Sequence, residues 1–286
     1  MILTEEYLGL EHRNELSELI RGMNSCISEY SFANLYLFRK QHDYRITRQG
    51  EHFFVQGVTY DGLHYLMPFS PISTINAKLL AELAGEGFAF FPVAKKDLIY
   101  FDEKLFEWSF NKDDSDYIYT REKISSYPGR HLHKKRNLVK QYRTLYTYED
   151  KTYSCQTAPD AKKALDEWFE LSGAPVEDTD YVACTEAIEH CERFGLSGQV
   201  YYADKRPSGF LLGEELNHKT FVIHFAKGVT TFKGIYSHMY TSLANSLPEQ
   251  YTILNFEQDL GKETLRQAKS TYLQDDMLDK YRVTLR

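Results

Sequence analysis

Between Arg121 and Arg143 the chain carries eight basic residues, Arg121, Lys123, Arg130, Lys134, Lys135, Arg136, Lys140 and Arg143, against the single acid Glu122. That segment is therefore +7, and the remainder of a chain whose formal charge is -7 is -14. Placed at about 100° per residue, Arg136, Lys140 and Arg143 fall within a stripe of about 60°. Leu132, Leu138, Val139, Tyr142 and Leu145 share the apolar face. A face of one sign lacks the i,i+4 partners of an ordinary solvated helix, and its field favours polyanions such as phosphates or an RNA backbone. Lys135 lands inside the apolar arc, where a lysine either snorkels past its aliphatic stem or reaches inward.

A second basic face lies in NFEQDLGKETLRQAKSTY, from Asn255 to Tyr272. Lys262, Arg266 and Lys269 fall on one side of that helix and Leu265, Ala268 and Tyr272 on another. Glu257 and Asp259 sit at the junction before it, with Asp259 placed as an N-cap candidate for the first unpaired N–H groups. Carboxylates at a strand end, opposite Arg and Lys, make a polar constellation, and the structural alternative is an internal salt bridge. His224, alternating with Phe225 on a strand, reads as a satisfied core or hairpin histidine. His131 and His133, at i,i+2, cannot share a helix face and make a poor metal pair. Cys26, Cys155, Cys184 and Cys191 show no CxxC spacing, so the expectation is buried, reduced thiols and no metal. No GxSxG and no GxxxxGK is present.

The elements that must position these residues follow from pattern. The 286 residues, 42% hydrophobic and 15% aromatic, favour two folded domains. The start of the chain shows no signal-peptide pattern, and Leu79–Ala94 is interrupted by Glu82, Glu86 and Pro92, so the expectation is a soluble cytoplasmic protein without a membrane span. Helices are expected over residues 4–24, 31–40, 73–84, 159–172, 185–194, 235–247 and 262–271. Strands are expected over 44–47, 52–59, 63–68, 88–92, 98–101, then QVYYAD and GFLLGEEL as a hairpin, TFVIHFAK, 251–256 and 280–284. Several antiparallel strands with crossover helices argue for an α+β sheet domain.

Four stretches, SEYSFANLYLFR, KKRNLVKQY, HFAKGVTTFKGIY and NFEQDLGKETLRQAKSTYLQDDMLDKY, resemble the C-terminal domain of phosphatidylglycerol lysyltransferase and its stand-alone relatives. The resemblance implies two tandem GNAT-like acyltransferase domains, each a mixed, mostly antiparallel sheet flanked by helices, related to the Fem-type aminoacyltransferases. The cut is expected after residue 145, giving domains 1–145 and 146–286. In membrane-bound members this domain passes an aminoacyl group from aminoacyl-tRNA to a lipid hydroxyl, and the multi-helix membrane region those enzymes carry is missing from this sequence. The implied function is a soluble acyl- or aminoacyl-transferase with aminoacyl-tRNA as donor and no bound cofactor. A CoA-dependent N-acyltransferase or a non-catalytic anion-binding protein on the same fold are the alternatives. Against CoA stands Thr231–Tyr236, where Gly234 is kept but Tyr236 fills the last small position of the pyrophosphate loop. In the implied chemistry Glu257 or Asp259 accepts the proton, and Lys269 or Arg266 stabilises the oxyanion or holds a phosphate. Lys135, Arg136, Asn137, Lys140, Arg143, Lys227 and Arg266 make up the expected substrate-binding set.

Overall fold

The computed structural model describes residues 4–190 and 192–286. The chain divides into two compact units. Unit one takes the residues up to Asp116 together with Gln258–Glu263 and Met277–Arg286, and unit two takes Tyr117–Glu257 and Thr264–Asp276. The cut expected after residue 145 thus falls, in this division, inside unit two.

Unit one begins with β1 (Thr4–Tyr7), a short 3-10 turn and α1 (Arg13–Met23). A single helix over 4–24 was the expectation. Instead Glu5 and Glu6 pair with Thr47 and Ile46 across a strand ladder, and Glu6 holds Arg48 at 2.6 Å, so cross-strand charge partners win over helical periodicity. α2 (Phe32–Leu37) starts as expected at Ser31, whose side chain accepts the Asn34 N–H. β2 (Arg45–Gln49), β3 (His52–Val58) and β4 (His64–Pro68) follow, with Gly62 at φ +87° in the turn. α3 (Ala77–Gly85) carries the chain over to β5 (Ala89–Val93), which lies parallel to β4. Of residues 98–101, expected as a strand, the first three belong to a 3-10 turn, Lys95–Tyr100, and Phe101 follows as its cap; the i,i+3 closure sends both Leu98 and Phe101 into the core beside Phe90 and Phe106. β6 (Phe106–Phe110) ends this part.

Unit two is built mainly from β7 (Asp116–Thr120), α4 (Arg121–Ser126), α5 (His133–Leu145), β8 (Tyr148–Thr152), α6 (Ala158–Ser172), α7 (Tyr181–Glu189), β9 (Ser197–Ala203), β10 (Arg206–Asn217), β11 (Thr220–Gly228), α8 (Ile235–Ser246), β12 (Ile253–Asn255) and α9 (Glu263–Ser270), while β13 (Asp276–Leu278) straddles the division, with Asp276 in unit two and Met277 and Leu278 in unit one. β14 (Tyr281–Leu285) then returns to unit one. The strand orders are β1-β2-β3-β4-β5-β14-β6 and β13-β7-β12-β11-β10-β9-β8. Each sheet holds a parallel pair joined by a crossover helix, β4-α3-β5 in one and β11-α8-β12 in the other, amid antiparallel neighbours. The expected α+β architecture of two mixed, mostly antiparallel sheets is what the strands form. Strands β6, β7 and β8 mix aromatic with polar or charged residues and have no apolar run to announce them, β7 although it is mostly buried and β6 and β8 because they are mostly exposed.

The cysteines depart from expectation. Cys26 is outside any disulfide but exposed, Cys184 is a buried thiol, and Cys155 is disulfide-bonded. Cys191 lies outside the described residues. Among the described residues no helix is long and apolar enough to cross a membrane.

Candidate functional site

The basic segment folds into two helices of unit two joined by a tight turn. α4 is capped by Thr120, which accepts the Lys123 N–H, and ends at Tyr127 in the left-handed region, φ +49°. Arg136 reaches back from α5 to the carbonyls of Tyr127 and, at 2.7 Å, Gly129, and so ties the turn to the helix. Leu132, Val139 and Tyr142 are buried, whereas Leu145 is exposed, so the predicted apolar face holds except at its last turn. Tyr142 also bonds Ser208 Oγ at 2.8 Å.

The polar side of α5 lines a cavity of about 380 Å³. Ser125, Ser126 and Tyr127 contribute from the end of α4, Arg136, Val139, Lys140, Arg143 and Thr144 from α5, and Thr241 from α8. Three of the predicted substrate-binding cations meet here, and the lining contains no carboxylate. Arg136 is largely occupied by its carbonyls. Lys140 is exposed and has no hydrogen bond or ion pair among the described residues. Arg143 donates from Nε to His238 Nδ1 at 3.3 Å. Because an arginine can only donate, the His238 proton sits on Nε2 and faces Asp150 Oδ1 at 2.9 Å, while Ser242 donates to the other Asp150 oxygen at 2.6 Å. His238 and Asp150 went unrecognised in the sequence, since nothing in the spacing of IYSHMYTS and YEDKT links them.

Lys135 does not face this cavity. Its Nζ sits 3.5 Å above the Tyr272 ring and donates to Thr271 Oγ1 at 2.7 Å, and burial draws its pKa down to about 8. Lys135 therefore joins α5 to the end of α9, at the rim of an aromatic cluster of Tyr119, Tyr127, Tyr240, Phe256 and Tyr272. Asn137 is exposed on α5, and Arg266 is half-buried on α9.

The remaining candidates are engaged elsewhere. Lys227 is buried, bonded to both Asp180 oxygens at 2.7 and 2.8 Å and set 4.2 Å from the Trp168 ring. Glu257 Oε1 meets His224 Nδ1 at 2.7 Å, and Glu214 Oε1 meets His224 Nε2 at 2.9 Å. Burial works against charge on that ring, but the two carboxylates outweigh it and hold the imidazolium up to about 10. His224 is satisfied, as expected, though as a cation between two acids, and Glu214 is a partner the sequence did not reveal. Lys269 Nζ bonds the Glu257 carbonyl at 3.2 Å. Asp259, counted with unit one and fully buried, accepts the Gly261 N–H at 2.9 Å and forms a turn ahead of α9. α9 starts at Glu263, so the N-cap role expected of Asp259 is replaced by this turn.

The glycine of the pyrophosphate-loop stretch is held by packing. Gly234 has φ +88°, and a Cβ there would lie 2.2 Å from the Leu138 carbonyl oxygen. α5 thus presses on the N-terminus of α8, where a cofactor's phosphates would need open N–H groups.

The family described as phosphatidylglycerol lysyltransferase, C-terminal, matches residues 21–284. Among solved structures, a conserved protein of unknown function from Bacteroides thetaiotaomicron is 23% identical over 100% of both chains, with a TM-score of 0.86. L-PGS from Bacillus licheniformis is 13% identical, with 95% of this chain and 91% of that one covered and a TM-score of 0.64. FemX is 9% identical, with 99% and 97% covered and a TM-score of 0.61. No curated protein sequence matches the chain. The fold, two mixed, mostly antiparallel sheets flanked by helices, is the one shared with L-PGS and FemX.

Proposed function

Because the chain belongs to the phosphatidylglycerol lysyltransferase C-terminal family, we propose that it is an acyl- or aminoacyl-transferase whose donor is aminoacyl-tRNA. The observation that carries this reading is the cavity on which Arg136, Lys140 and Arg143 converge without a carboxylate, a place suited to phosphate. In the reaction an acceptor N–H or O–H adds to the ester carbonyl of the donor, a new C–N or C–O bond forms, and the bond to the ribose oxygen breaks. The acceptor's proton ends on that oxygen. Such a transfer needs chiefly positioning, a proton acceptor and donors for the oxyanion. Glu257 and Lys269 are assigned the last two tasks, since both lie in unit two and Lys269 already reaches the Glu257 backbone. The seating of Gly234 against Leu138 speaks against CoA in the usual GNAT pose, so acetyl-CoA should leave the melting temperature unchanged.

Filter binding to charged and uncharged tRNA across a salt series tests the donor. Each phosphate neutralised contributes a log–log slope of roughly -0.7 to -0.9, so binding should weaken as salt rises. Transfer of a radiolabelled aminoacyl group to a small amine tests the activity. Salt-independent tRNA binding together with no transfer would overturn the reading.

A further inference from the structure

The cavity supports a narrower statement, which rests on its being the anion site just described. Its three cations span about 10 Å along one face of α5, and all three open on one space of about 380 Å³ closed on its other sides by α4 and α8 residues, Ser125, Ser126, Tyr127 and Thr241. They also differ in freedom. Arg136 is tied to two carbonyls, and Lys140 is free on a flexible stem. Arg143 is fixed by its Nε bond to His238 and by the Tyr148 ring 5.6 Å from its guanidinium carbon, which together set the guanidinium plane and leave both Nη groups without a hydrogen-bond partner among the described residues. A planar fork with two open N–H edges matches the oxygens of a phosphate bidentately.

The group that sets the plane is itself immobile. His238 is fully buried, stacked on Tyr142 at 4.4 Å and flanked edge-on by Tyr148 at 5.2 Å and Tyr201 at 5.8 Å. Asp150 and Ser242 fix its tautomer from behind. Such a relay commits one buried and two half-buried polar groups, His238, Asp150 and Ser242, to the orientation of one surface arginine, a cost that packing alone would not require.

We infer that the cavity binds a single terminal phosphate group, of the phosphate monoester or pyrophosphate class, on the fork of Arg143, and that His238 with Asp150 is the positioning pair that aims it. Lys140 supplies the second charge that a dianion calls for. Whether the phosphate belongs to a free small molecule or to the end of a nucleic acid is decided by the probe.

Calorimetry on the full chain with inorganic pyrophosphate provides the test, comparing wild type with Arg143→Met, His238→Phe and the double variant. Wild type should bind. Each single variant should weaken binding by about tenfold or more, and the double variant should be no weaker than Arg143→Met, because a positioning residue has nothing left to aim. A merely structural His238 would weaken binding again in the Arg143→Met background. His238→Gln, which can still accept from Arg143, should recover part of the loss, and Asp150→Ala, at a half-buried position, serves the same arm should His238→Phe not fold. No pyrophosphate binding by wild type, or undiminished binding by Arg143→Met, overturns the pocket; additive losses overturn the aiming. A short RNA that binds better with a 5′-phosphate than without one assigns the site to chain ends. Equal binding of the two RNAs, with no competition by pyrophosphate, overturns the single-phosphate reading in favour of backbone tracking. None of these outcomes depends on the transfer assay, so the transferase reading stands or falls separately.

Discussion

Replacing Glu29 by Gln should make the protein more stable at pH 8 and change little at pH 5. In unit one the ammonium of Lys280 is fully buried, 2.6 Å from Asp116 Oδ1 and 2.7 Å from Glu29 Oε2, with Ser28 Oγ and Gln258 Oε1 each at 3.2 Å. One cation thus faces two carboxylates. Burial raises the Glu29 carboxyl; Lys280 opposes it and Asp116 adds to it, and the outcome is a rise from 4.5 to about 7. Between those values the unfolded chain has released the proton and the folded one keeps it, so stability falls as pH rises through this window and levels off above it. At about 1.4 kcal/mol per pH unit the loss is of the order of 3 kcal/mol, a ceiling that relaxation will lower. Gln keeps an oxygen for Lys280 and never has to ionise. Urea unfolding at pH 5, 6, 7 and 8 measures the difference, read through Trp108 of β6 in a Trp168→Phe background so that unit one is followed by itself. The gap between Glu29→Gln and wild type should open from near zero to roughly 1–3 kcal/mol in favour of the variant. Parallel curves, or a variant weaker at every pH, would refute the idea that Glu29 is the uncompensated acid.

Three further outcomes are expected. Gly234→Ala should cost about 2 kcal/mol or more in thermal unfolding, because a Cβ meets the Leu138 carbonyl and φ +88° disfavours any L side chain. Arg136→Met should lower the melting temperature, by about 1–3 kcal/mol equivalent, through the orphaned Tyr127 and Gly129 carbonyls, while Lys140→Met should leave it within error and affect only anion binding. His224 gains stability from its carboxylates that is fully present below 6.5 and lost as pH climbs towards about 10; Glu214→Gln should shift its NMR titration downward and shrink that alkaline loss.

How much of this was readable beforehand depended on the range of the interaction. The β3–β4 hairpin, the Ser31 cap and β11 were legible because the signal is local: alternation, a turn glycine, a hydroxyl before a helix. The cationic face of α5 was legible too, since helical spacing fixes which side chains share a side, and Arg136, Lys140 and Arg143 do share one cavity. Lys135 in the apolar arc was a conflict the sequence displayed but did not resolve; its resolution is the Tyr272 ring, 137 positions away along the chain. The His238–Asp150 pair and the Glu214–His224–Glu257 clamp lay beyond reach for the same reason, because strand register decides which side chains meet. Asp259 misled because an acid ahead of a helix looks alike whether it caps the helix or turns the chain before it.

The placement of β14 carries a consequence for how the molecule is made. This strand lies between β5 and β6, yet it is synthesised after nearly all of the other sheet. While the ribosome is still adding residues, β5 and β6 wait with bare hydrogen-bonding edges and the Phe90 and Phe106 rings lack their cover. The half of the protein that emerges first is therefore the half that can be finished last, and nascent chains should remain protease-sensitive there until residues 281–285 clear the exit tunnel.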